Sequence, residues 1–89
     1  MKIPTLKEGD AVLVIWQDAF EDEEVGWHEV SAFPFEKKLL GARVKQAGIF
    51  LRITQDMMYL AEAYIARDAQ VAGVSAIPVG CILRIKKIT

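Results

Sequence analysis

The sequence predicts an all-β domain: a small, strongly bent antiparallel barrel with a long acidic loop after its first strand. Three features carry this prediction. The run at 11–16, AVLVIW, is β-branched and aromatic, and too short to read as a helix. Later segments, around 39–54 and 82–87, alternate apolar and basic residues with the period of two that a half-buried strand imposes. A Pro78-Val79-Gly80 turn precedes the last of these segments.

Residues 1–7, with Pro4 among mixed side chains, read as a lead-in, and Glu8-Gly9-Asp10 is a turn signal that starts the first strand. That strand is apolar on both faces near its centre. An acidic stretch follows, with Asp18, Glu21, Asp22, Glu23 and Glu24, closed by Val25-Gly26-Trp27-His28. Consecutive carboxylates cannot be buried unpaired, so the loop is solvated or held by a partner's basic groups. Trp16 and Trp27 are placed to anchor its two ends. In the next segment, 29–38, Pro34 drives Phe33 toward an extended conformation and opposes a continuous helix.

Residues 39–46 set Ala42 and Val44 on one face and Arg43 and Lys45 on the other. Ala47-Gly48 allows a turn or a bulge, and 49–54 set Ile49, Leu51 and Ile53 against Phe50, Arg52 and Thr54. The two runs predict either a hairpin or one long bent strand. Residues 57–67, MMYLAEAYIAR, satisfy two periods: their composition favours helix, while Met58, Leu60, Glu62 and Tyr64 alternate with their neighbours as in a strand. Residues 68–73 read as a loop. An extended piece to Ile77, the Pro78 turn, and a strand with Leu83 and Ile85 opposed to Arg84 and Lys86 complete the pattern.

Five or six short strands, with a tight turn of the kind often wound as 3₁₀ helix before the last, correspond to a barrel of the SH3-like or Sm-like kind. That analogy is architectural and carries no function. The motifs W-x-D-A (Trp16, Asp18, Ala19), Gly26-Trp27, the stretch RITQDMMYLA at 52–61, and Ile77-Pro78-x-Gly80-Cys81-Ile82-x-x-Ile85 are more specific in their order and spacing. Over most of 11–88 the chain resembles a group of small tailed-phage and prophage proteins without an assigned activity. It departs from them in a longer acidic insertion and in the Ala-rich 61–66. In that group the segment matching 57–65 is β-branched, so the resemblance implies a strand there. It also implies a phage-encoded or prophage-derived protein, working in the host cytoplasm if phage-encoded.

The 89 residues make one domain, 1–89, with room for a single core. A hydrophobic share of 53% is generous for that size, so either the core is dense or apolar surface is buried against another copy, and a homo-oligomer is expected. The single Cys81 excludes an internal disulfide, no secretory leader pattern opens the chain, and no apolar run approaches the ~20 residues that span a bilayer. A cytoplasmic protein without membrane contact is expected. The net charge of −1 conceals a division: residues 1–36 hold two Lys/Arg against nine Asp/Glu, and residues 37–89 hold nine against three. Such halves attract each other, attract a neighbouring copy, or leave a basic face for an anion.

Catalysis is not expected. A nucleophilic site would need Cys81 near His28, the only imidazole, but Cys81 between Gly80 and Ile82 reads as a small buried hydrophobe. Asp18, Asp22, Glu24 and His28 lack the ordered spacing of an EF-hand, and no metal or other cofactor is expected. The first functional expectation is binding of a protein partner, or of the chain itself, through Trp16, Asp18, Glu21, Asp22, Glu23, Glu24, Trp27 and His28. The alternative is a ring-forming oligomer that binds nucleic acid, or sequesters a nucleotide-like anion, on Arg43, Lys45, Arg52, Arg84 and Lys86.

Overall fold

The computed structural model describes residues 2–18, 27, 29–32 and 43–88. Strands dominate them: β1 Ala11–Gln17, β2 Arg43–Ile53, β3 Met57–Ala61, β4 Ala63–Ile65, β5 Gln70–Ala72, β6 Ser75–Pro78 and β7 Ile82–Lys87. Two single turns of 3₁₀ helix, η1 Val30–Ala32 and η2 Val79–Cys81, are the only helical pieces among the described residues. The chain is therefore all-β, as its periodicity predicts. The expected extension at Phe33 and Pro34, and the strand start at 39–42, lie outside the described residues.

Five strands form one antiparallel sheet in the order β6-β3-β2-β1-β7, and β4 and β5 form a separate two-stranded ribbon. The sheet has to curl. Four inter-strand steps of ~4.8 Å would hold β6 and β7 about 19 Å apart if it were flat. These edge strands are joined only by the three residues of η2. Even fully extended, the path from Pro78 to Ile82 reaches no more than ~14 Å, and a 3₁₀ turn is shorter still. Among the described residues no ladder joins β6 to β7.

The concave side holds the core: Val12 and Val14 of β1, Phe50 of β2, Met58 and Leu60 of β3, Ile77 of β6, and Ile82 and Ile85 of β7, with Leu6, Trp16 and Ile53 packed against them. Pairing puts these residues on one side, since Phe50 lies opposite Leu60, Met58 opposite Ile77, and Val14 opposite Ile85. Burial of each large aliphatic stabilises the fold by roughly 1.5–3 kcal/mol. No polar or charged residue is buried among those described.

Two irregularities change which residues face in. Residues 43–53 are one bent strand rather than a hairpin, and its pairing with β3 shifts between Phe50 and Arg52, leaving Leu51 as the extra residue. Phe50 and Ile53 are turned inward, whereas simple alternation sets Ile49, Leu51 and Ile53 together. In β7 the shift opposite Ile15 and Trp16 leaves Leu83 as the extra residue, 47% exposed, so the inward pair is Ile82 and Ile85 rather than Leu83 and Ile85.

Residues 57–61 are strand, as the resemblance implies, but the chain bends at Glu62 and leaves the main sheet. Residues 68–73 are not simply a loop: Gln70, Val71 and Ala72 pair back onto β4. Ala69 closes this hairpin with φ +50°, a left-handed conformation that glycine or asparagine would normally signal.

The predicted turn at Glu8-Gly9-Asp10 is present and ties three elements together. Gly9 has φ +95°, Asp10 N–H donates to Lys7 O at 3.0 Å, and Lys7 N–H donates to Asp10 Oδ2 at 2.9 Å. Gly9 N–H donates to Phe50 O and Phe50 N–H to Asp10 O, fastening the turn to β2. Asp10 Oδ2 also lies 3.5 Å from Lys87 Nζ. The Lys7 N–H bond, aided by the Lys87 charge, holds the Asp10 carboxyl below its ordinary value of 3.8.

Candidate binding face

The outward face of the sheet is built around β1. Residues 12, 14 and 16 point into the core, so Leu13 and Ile15 point the other way and are half-buried. Strand pairing then fixes their neighbours. Ile15 lies between Lys45 of β2 and Arg84 of β7, and Leu13 lies between Ala47 of β2 and Lys86 of β7. Arg43 continues the β2 row beside Gln17. Lys45 and Arg84 are two inter-strand steps apart, about 10 Å, with an aliphatic side chain between them.

Arg43, Lys45, Arg84 and Lys86 are all exposed. Among the described residues, the ion pairs are Lys87 with Asp10 and Arg67 with Asp68, and none involves these four. The face thus carries a rim of cations, none paired with an acid among the described residues, around a short aliphatic strip. Four of the five basic residues singled out from the sequence are brought together on it.

Arg52 is not part of this cluster. It lies at the far end of β2, seven residues beyond Lys45 and so more than ~20 Å away along the strand, opposite Tyr59. There the ribbon overhangs the sheet and leaves a groove of about 390 Å³ lined by Glu8, Leu51, Arg52, Tyr59, Val71 and Val74, among others. The ribbon is docked through Tyr64, whose hydroxyl donates to Glu8 Oε2 at 2.8 Å and whose ring lies against Gly9. The Glu8 bond, with some burial, raises the Tyr64 pKa above its ordinary 10.0.

No protein-family model, curated protein or solved structure matches this chain. Its chemistry has to be read from its own side chains.

The two tryptophans differ. Trp16 faces inward against the core, and its Nε1–H donates to Gln46 Oε1 at 3.2 Å. Gln46 Nε2 in turn donates to Ser75 Oγ at 2.9 Å, a short polar chain linking β1, β2 and β6. Trp16 therefore serves the interior, as expected of a residue ending an apolar strand. Trp27 is fully exposed, at 103% of its reference area, and nearby Val30 is 77% exposed. Asp18 is exposed and has an interaction partner. Glu21, Asp22, Glu23, Glu24 and His28, all expected at a partner-binding site, lie outside the described residues.

Cys81 is half-buried in η2 and free. No group of three His, Cys, Asp or Glu among the described residues is placed to hold a metal ion. No helix among them is long and apolar enough to cross a membrane.

The cations stand out in the sequence, but Leu13 and Ile15 do not stand out as their companions. The signal was present, because a strand apolar on both faces, in a chain with only one core, has to show one apolar face to something else.

Proposed function

We propose that the chain is a non-enzymatic binding module whose working surface is the outward face of β2, β1 and β7, and that this face takes an acidic segment of a protein. The observation that carries the proposal is the register that sets Lys45, Ile15 and Arg84 in one row and Ala47, Leu13 and Lys86 in the next. An aliphatic centre inside a charged rim is the anatomy of a protein interface. The rim steers an acidic partner and fixes its orientation, while the aliphatic strip gains area on contact.

A single-stranded nucleic acid is less well served. Base stacking needs aromatic rings, and among the described residues this face has none, since Trp16 points inward. The full exposure of Trp27 favours a second reading, in which the acidic segment is itself a contact for another protein. The curl of the sheet and the 3₁₀ turn before β7 support an SH3-like or Sm-like architecture as the finer description of the fold.

Fluorescence anisotropy tests the reading with two probes, a labelled peptide alternating Glu and Val and a labelled oligothymidylate. The peptide is expected to bind more weakly as salt rises, and Lys45→Glu or Arg84→Glu to weaken it about tenfold or more, equivalent to ~1.4 kcal/mol. Salt-dependent binding of oligothymidylate with none of the peptide would replace this reading with the nucleic-acid one.

A further inference from the structure

We infer that the acidic segment taken by this face belongs to a second copy of the same chain, namely residues 21–27, EDEEVGW. The inference rests on the reading of the face given above.

Complementarity is the first argument. Nine of the chain's twelve acids lie in residues 1–36 and nine of its eleven Lys/Arg in residues 37–89. The basic half supplies Arg43, Lys45, Arg84 and Lys86 to one exposed face, where no ion pair with a described residue neutralises them. Residues 21–24 bring four consecutive carboxylates, and Val25 and Trp27 follow directly. The segment thus has the composition that the face requires: anions for the rim, and apolar side chains for Leu13 and Ile15.

Exposure is the second argument. An indole at 103% of its reference area, with Val30 at 77% close by, leaves apolar surface uncovered in the single chain. Indoles at such positions are frequent anchors of protein contacts. An aliphatic strip flanked by cations also suits one, since a lysine or arginine over an indole face adds a cation–π attraction.

The contact joins two different patches, and each copy offers one of each, so two copies exchange segments reciprocally in a two-fold dimer or pass them head to tail into a ring or a chain.

The experiment is light scattering on the whole protein at about 0.05 M and about 0.5 M salt, conditions that bracket strong and weak screening. Two variants accompany it: one with Glu21→Gln, Asp22→Asn, Glu23→Gln and Glu24→Gln, the other with Lys45→Gln and Arg84→Gln. The wild type is expected to form multimers at low salt that shrink at high salt. Each variant alone is expected to be monomeric, and an equimolar mixture to stop at a dimer, because each variant keeps only the surface the other has lost. Circular dichroism confirms that the variants fold, and the salt response of the wild type tests the inference without any substitution.

A wild type that is monomeric in both salts, yet still binds the Glu-Val peptide, would overturn the self-association and leave the reading of the face intact. A monomer that binds neither would remove both. A wild type that multimerises while the two variants stay monomeric even when mixed would show that the segment and the face do not meet each other, and would overturn the inference. A multimer indifferent to salt and to both variants would assign assembly to another surface and overturn the inference.

Discussion

The main sheet and the β4–β5 ribbon are made from similar residues but are held in different ways. In the sheet, Val12, Val14, Met58, Leu60 and Ile77 are each at most 2% exposed, so the strands are fixed by a shared interior. In the ribbon every residue but Tyr64 is exposed, including Ile65 at 50% and Val71 at 45%. A two-stranded hairpin has little stability of its own in water. This one is attached at a point, Tyr64 on Gly9 and Glu8, and its own ladder is closed at the base by Glu62 N–H donating to Ala72 O and Gly73 O. Similar strand propensities thus produce a cooperative unit in one place and an appended flap in the other.

Substitutions should separate the two. The largest effect is expected in the sheet, where Leu60→Ala removes a fully buried side chain and should cost about 2–5 kcal/mol, read as an earlier denaturant midpoint with an unchanged slope. Gly9→Ala is next. It forces a side chain into φ +95° and sets a Cβ 3.3 Å from the Tyr64 ring, at a cost of about 1–2 kcal/mol. Because the Gly9 turn serves both regions, that loss should appear in global unfolding and in ribbon dynamics together.

Tyr64→Phe should act on the ribbon alone. With the bond to Glu8 lost, amide exchange should accelerate in β4 and β5 and stay unchanged in β1 and β3. Equal acceleration everywhere would mean that the ribbon is part of the cooperative unit after all.

Asp10 gives a pH test of the turn. Its carboxyl is held below the ordinary 3.8, so its contribution is present above that value and is lost as pH falls through the lowered one. The difference in thermal midpoint between wild type and Asp10→Asn should therefore be constant near neutrality and close in strong acid. The smallest expected change is a gain: Ala69→Gly relieves the positive φ of the ribbon turn and should stabilise it by up to ~1 kcal/mol.

What was legible in the sequence follows the same boundary. The first and last strands, the turn at Glu8 and the turn at Pro78 announce themselves through local composition, and each forms. The exposed position of Arg43 and Lys45 opposite Val44 also follows from alternation. The extra residues at Leu51 and Leu83 do not, because a bulge is a property of two paired strands, and one strand read alone gives no sign of its partner's register. The break at Glu62 is hidden for another reason: it carries none of the glycine, proline or asparagine that usually marks one, whereas the turn at Ala69 falls inside the loop read at 68–73. For the proposed binding face, the cations are readable residue by residue. That Leu13 and Ile15 lie among them depends on β1 standing between β2 and β7, and strand order is not written in any one segment.

That strand order also has a kinetic side. β1 is complete at Gln17, but its two neighbours begin at Arg43 and Ile82, so neither of its ladders can form locally. β2, β3 and β6 are closer together along the chain, and loop-closure entropy favours their pairing first. The cluster of Lys45, Ile15, Arg84 and Lys86 comes into being only when the earliest strand meets the last. A chain still emerging from the ribosome, or one that has lost its final strand to a protease, has the charges but not the surface, so the binding proposed for this face waits until folding is finished.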